Sequence, residues 1–292
     1  MNTVLLILVG ALTKASIYFL VAAGLTLVFG VGQIINFAHG SFYVLAMYLT
    51  YTLAVQVFGG GAYSFWPALL LAPIMIGVLG LLIERFLLSR VYGKEHLVQL
   101  ILTYGLVFIF SDLFKIVWGV YPVIVPHSDF FGGSIAVMQT FVPQFNLVII
   151  AFAILIYFGL TLMISKTSFG RYSRAIATDS SMSQLIGIDT GRVFTLIFGL
   201  GCALAAIGGA LATQLGVIQL GFDSHITILA FILVIVGGVG SIKGAAAAAL
   251  LIGFVECIGA LFLPDFVLVL IYLVMVTVLL FRPFGLFGRP VF

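Results

Sequence analysis

The sequence predicts an all-α polytopic membrane protein of about 8–10 transmembrane helices, and three observations carry that prediction. Of its 292 residues 63% are hydrophobic and only 7% are charged, against about a quarter charged in a soluble domain. Mean hydropathy is +1.34. Apolar runs recur along the whole length, each near the roughly 20 residues a helix needs to cross a ~30 Å hydrocarbon core. A membrane barrel would show alternating segments of about 10 residues instead.

Taken in order, the apolar windows place spans near residues 4–30, 38–58, 66–88, 97–118, 146–165, 193–215, 226–241, 245–262 and 266–281. That makes nine. The first run is long and holds Lys14, and the second overlaps a polar stretch, so eight or ten spans fit the same windows. Residues 1–292 form one transmembrane domain on this reading. The opening MNTVLLILVGALTK has no basic residue before Lys14, so it is read as a retained span and not as a signal peptide. Cys202 and Cys257 both lie inside apolar runs and read as small packing residues.

Short cytoplasmic loops collect Lys and Arg, and here the basic residues alternate consistently. Arg85, Arg90 and Lys94 follow the third span; Lys166, Arg171, Arg174 and Arg192 separate the fifth from the sixth; Lys243 follows the seventh; Arg282 and Arg289 follow the ninth. Ten of the twelve positive charges thereby share one side, leaving Lys14 and Lys115 in or near spans. The C-terminus falls in the cytoplasm and, with nine spans, the N-terminus outside. Loops 119–145 and 216–225 hold no Lys or Arg but do hold Pro122, Pro126, Pro143, Asp129 and Asp223. They read as external turns.

Polar groups inside apolar runs are costly, at about 3 kcal/mol for a mid-bilayer charge, and therefore face protein, water or a partner. Lys14, His39, Asp112 with Lys115, and Glu256 are such groups. Asp112 and Lys115 stand three apart on one helix face, which suits a structural ion pair. Glu256 has no partner near in sequence, and Lys14 could serve as an internal partner for one of these acids, between which the sequence does not choose. The stretch GVGQIINFAHGSF, residues 30–42, crowds Gln33, Asn36, His39 and Ser41 between two spans. It fits a short turn, or a discontinuous helix whose polar groups meet water or solute. A weak echo, VFGVGQI at 28–34 and VGGVGSI at 236–242, fits either a parallel repeat or chance.

Residues 166–192 are the most polar region. Ala177 to Leu185 lack Gly and Pro and predict a short helix that Gly187 ends. Basic entry, short helix and Gly stop suit a docking element or a solvated positive loop. No HExxH, GxSxG or GxxxxGK[ST] pattern occurs, so zinc, nucleophile-elbow and nucleotide-phosphate chemistry have no motif behind them. His39, His96, His127 and His225 are scattered.

Four ordered motifs carry a family resemblance: GLTLVFGVGQIINFAHGSFYVLAMYL, TSFGRYSRAIATDSSMSQLIGID, GGVGSIKGA and RPFGLFGRP. The chain resembles the permease subunits of branched-chain amino-acid ABC importers, the LivH type. The resemblance implies an ABC importer permease fold in the prokaryotic cytoplasmic (inner) membrane, bedded in lipid, with no nucleic acid and no cofactor of its own. It implies partners as well: a second permease subunit or copy, two cytoplasmic ATPase subunits that use the ATP, and an extracytoplasmic substrate-binding protein. Residues 166–192 become the cytoplasmic coupling loop, with Arg171, Arg174, Ala177, Asp179 and Gly187 on the family's motif. Ser180, Ser181, Met182 and Ser183 stand where relatives carry an acidic, alanine-rich stretch, and Lys243 where a Pro is common. The polar stretch becomes the family's most recognisable membrane motif, with Gln33, Asn36, His39 and Ser41 as pathway candidates.

Two other functions remain open at this point. A urea or short-amide permease shares similar motifs. A proton-coupled secondary transporter would use Asp112, Glu256 or His39 and need no ATP. An intramembrane enzyme has no motif to support it.

Overall fold

The computed structural model describes residues 2–32, 34–128, 130–137 and 140–288. Its helices are α1 (Asn2–Gly32), α2 (His39–Tyr51), α3 (Phe65–Phe86), α4 (His96–Trp118), α5 (Gln144–Lys166), α6 (Ser168–Thr178), α7 (Ser180–Leu185), α8 (Thr190–Ala212), α9 (Phe222–Gly237), α10 (Ile242–Phe262) and α11 (Val267–Phe281). A π-helical turn, Thr52–Val57, prolongs α2. The antiparallel hairpin β1 (Ser134–Val137) and β2 (Thr140–Pro143) pairs Ser134 with Pro143.

Eight helical stretches are long and apolar enough to cross a membrane among the described residues. The seventh expected span, 226–241, is corrected by α9. It is 16 residues long and covers about 24 Å, short of a ~30 Å core. The helix also starts earlier than the expected 226, because Asp223 opens its first turn and is buried, where the sequence suggested an external loop.

Small residues decide the packing. Helix α8 runs antiparallel to α1: a Cβ on Gly201 would stand 2.8 Å from the Gly24 carbonyl, and Gly208 lies against Leu20. Such contacts let backbones approach where apolar burial gives no advantage over lipid. Of the central window of α8, 67% is buried against other helices, against 6% for Pro264–Phe281. Helix α8 is therefore the hub and α11 an exposed rim. Cys202 fills the notch at Gly80 of α3, and Cys257 Sγ lies 3.5 Å from the Ile7 carbonyl, so both act as packing groups.

The basic residues gather at the end of the bundle where α1 finishes. Arg85 and Arg192 line one cavity there, and Arg174 and Lys243 line another. At the opposite end Val123 pairs with Ile218, and the Ser128 amide donates to Gln214 Oε1 at 3.1 Å. The helix expected over 177–185 is corrected to two, α6 and α7. Asp179 divides them because its carboxylate caps α7, accepting from the Met182 amide at 2.9 Å. Asp favours a cap over a helix interior.

Candidate functional site

The polar stretch turns out to be a break inside the bundle. Beyond Gly32 the described chain, residues 34–38, is not helical. His39, the first residue of α2, reaches Val21 of α1: its Nε2 lies 3.0 Å from the Val21 carbonyl. Val21 stands eleven residues before Gly32, about 16 Å back along α1. Helix α2 therefore begins deep in the bundle. A carbonyl can only accept, so the Val21 contact fixes the proton on Nε2 and leaves Nδ1 an acceptor. His39 Nδ1 and Asn36 Nδ2 have no partner among the described residues, and both side chains are fully buried. Asn36 Oδ1 accepts from the Ala38 amide at 3.1 Å, which orients its amide.

Helix α9 begins at the same depth. The Gly40 amide donates to Thr227 Oγ1 at 3.1 Å, and Ser41 Oγ donates to Asp223 Oδ2 at 3.2 Å. Thr227 Oγ1 also lies 3.1 Å from the Phe37 carbonyl and 2.8 Å from that of Asp223. From this joint α9 runs to the end where α1 finishes, since Gly240 just beyond it meets Gly30. Helix α2 runs the other way. The two helices thus meet by their N-terminal turns inside the bundle, with polar backbone tolerated there because protein covers it. The echoed motifs touch as well: a Cβ on Gly30 would stand 2.5 Å from Gly240 Cα.

Three of the four pathway candidates, Asn36, His39 and Ser41, come together at the joint, while Gln33 lies outside the described residues. Sequence reasoning missed their partners Asp223 and Thr227. Their spacing of four at the head of an apolar run, one turn of helix, was the available signal.

The other candidates fall into separate places. Lys14 Nζ donates to Glu256 Oε1 at 2.6 Å between α1 and α10, and the Tyr18 hydroxyl donates to Glu256 Oε2. Lys115 pairs with Asp112 at 2.9 Å on the open face of α4. Glu84, also missed, is fully buried and accepts from the Tyr92 and Thr195 hydroxyls. An acid inside an apolar run was its signal. Burial, and then the bond to Glu84, push the Tyr92 hydroxyl well above the usual phenol range.

In the 166–192 segment Arg171 donates to Ser168 Oγ at 2.9 Å, Arg174 donates to the Ile164 carbonyl of α5, and Ala177 lines the cavity beside α1. Gly187 has φ +88°, and the Ile188 amide donates to the Ser183 carbonyl at 3.0 Å, which closes α7. A left-handed residue just past the helix is the usual Gly stop. Among the described residues no group of three His, Cys, Asp or Glu side chains could hold a metal ion.

Residues 7–279 match the family described as the permease component of branched-chain amino acid transport systems. The chain belongs to this family. It is 34% identical to the high-affinity branched-chain amino acid transport system permease protein BraD of Pseudomonas aeruginosa, over 97% of this chain and 95% of that one. To the protein of the same description named LivH in Escherichia coli it is 33% identical, over 95% and 93%. The probable branched-chain amino acid transport permease protein LivH of Methanocaldococcus jannaschii is 29% identical over 97% and 92%. No solved structure matches. As a member of this permease family the chain is a multi-pass membrane transport subunit.

Proposed function

We propose that the chain forms the translocation pathway for branched-chain amino acids in an ABC importer of the prokaryotic inner membrane. The basic end of the bundle is cytoplasmic by charge placement, and α6–α7 there is the segment an ATPase engages. Two ATPase subunits supply the energy and an extracytoplasmic binding protein delivers the solute. A second permease subunit covers the open face of α4, where the Asp112–Lys115 pair would be poorly placed against lipid.

One observation carries the reading of the pathway. At the buried joint Asn36 offers an unused donor and His39 an unused acceptor, three residues apart. An amino-acid zwitterion carries one group of each kind, a carboxylate and an ammonium, and would satisfy both when the joint opens. The names of the relatives supply the solute class. ATP-driven closure of the ATPases moves α6–α7, and the packed spans rock to expose the joint to each side in turn.

His39→Ala and Asn36→Ala, assayed for leucine uptake in vesicles carrying the whole transporter, test this. Uptake should fall at least about tenfold with assembly intact, the loss of one good hydrogen bond to solute. Full uptake in both variants would refute the pathway assignment.

A further inference from the structure

Beneath α6 lies a cavity of about 600 Å³ that the transport reading does not use. Two cationic side chains line it, Arg174 of α6 and Lys243 in the first turn of α10, and no Asp or Glu does among the described residues. The N-terminus of α10 faces the same space. Ser241 Oγ accepts from the Gly244 amide, while the first amides of this 21-residue helix, at Ile242 and Lys243, have no backbone acceptor among the described residues. Helix N-termini favour anions. A second, independent observation points the same way. Thr26 and Thr161 line the cavity, both hydroxyls are buried without a partner, and Thr26 is 1% exposed. Leu27 and Ile164 supply an apolar floor.

We propose that this cavity binds the oxyanion of a small amphipathic anion, a carboxylate or a phosphate, between α6 and the N-terminus of α10. Lys243 has no hydrogen-bond or ionic partner among the described residues and is free to meet an anion there. The anion bonds Lys243 and the two threonine hydroxyls, and its apolar part rests on Leu27 and Ile164. Arg174 already donates to the Ile164 carbonyl of α5, so it adds field without being drawn far. Because the occupant bridges α6 to α1 and α10, its presence limits how far the coupling segment moves. The inference needs the cavity to be reachable in the membrane and does not depend on the solute being an amino acid.

The test measures acetylation of Lys243 by an amine reagent, read by mass spectrometry on the full chain in phosphatidylcholine nanodiscs. Exposed Lys166 serves as the internal reference. One arm adds saturating 4-methylpentanoate, a small amphipathic carboxylate without an ammonium group, and the other replaces part of the lipid with phosphatidylglycerol. Labelling of Lys243, and not of Lys166, should slow at least about tenfold in one arm. Slowing by 4-methylpentanoate assigns a free carboxylate; slowing by phosphatidylglycerol assigns a lipid phosphate; either supports the site. Unchanged labelling in both arms overturns it, as does protection that survives both Thr26→Val and Arg174→Gln. Nanodiscs expose both faces, so failure here is separate from an error in the cytoplasmic assignment, which an impermeant reagent on sealed vesicles would reveal. Failure of leucine uptake in the assembled transporter would likewise leave this result untouched.

Discussion

Alanine at Gly40 should force α2 and α9 apart where their first turns meet. A Cβ there would meet the Asp223 carbonyl, Thr227 Oγ1 and the Thr227 amide nitrogen, the last at 2.9 Å, nearer than real Cβ atoms come. Two of those atoms are backbone, so no side-chain rotation relieves the contact. Overpacking of this kind costs about 1–3 kcal/mol. Separation also stretches the Gly40 and Ser41 bonds, at 3.1 and 3.2 Å, each worth about 0.5–1.5 kcal/mol. The sum is a destabilisation of about 1–5 kcal/mol after allowing for the better helix propensity of Ala. Gly159 of α5 is the matched control, since nothing lies within 4 Å of where its Cβ would stand. There Ala should stabilise by about 0.5–1 kcal/mol. Equilibrium unfolding in mixed detergent–SDS micelles measures both. Gly40→Ala unfolding within about 0.5 kcal/mol of Gly159→Ala would refute the reasoning.

Two further outcomes follow from the interactions described. Lys14→Met leaves Glu256 with Tyr18 alone, and because the pair is only partly buried, at 39% and 18% exposure, the loss should be about 1–3 kcal/mol; adding Glu256→Gln should recover part of it in the same unfolding assay, and a strictly additive double variant would contradict the pairing. Asp179→Ala removes the α7 cap and Gly187→Ala strains a φ of +88°, each at about 1 kcal/mol; ATP hydrolysis by the assembled transporter should then persist while uptake falls, and normal coupling in both would exclude a docking role for the segment.

The span positions were legible because each rests on a local property, a long apolar run. What the sequence could not convey was depth. Residues 30–42 announce an interruption, but only Val21 and Thr227, distant in the chain, reveal that α2 starts within the bundle. Asp223 misled for the same reason: a Gly-Phe-Asp-Ser segment without Lys or Arg reads as an outside turn, and its burial depends on Ser41. Asp179 was visible as a motif residue, yet the helix-friendly composition of 177–185 hid its role as a divider, since capping is decided by one side chain and not by window averages. The Lys14–Glu256 pair joins the first and tenth helices across 242 positions of chain, a partnership sequence could suggest but not assign.

The joint between α2 and α9 also has a charge balance. Each helix presents roughly half a positive elementary charge at its N-terminus, and Asp223, in the first turn of α9, accepts from Ser41 in the first turn of α2. Two halves against one whole leave the meeting point near neutral, which is how an acid rests there without a cationic partner among the described residues. Removing that negative charge while keeping the shape, as Asp223→Asn does, leaves an electropositive centre. Such a centre favours an anion over a zwitterion, so the 2-oxo acid corresponding to leucine should compete with leucine uptake more strongly in this variant than in the parent. Equal competition in the two would mean that the helix ends do not set the potential that the solute meets.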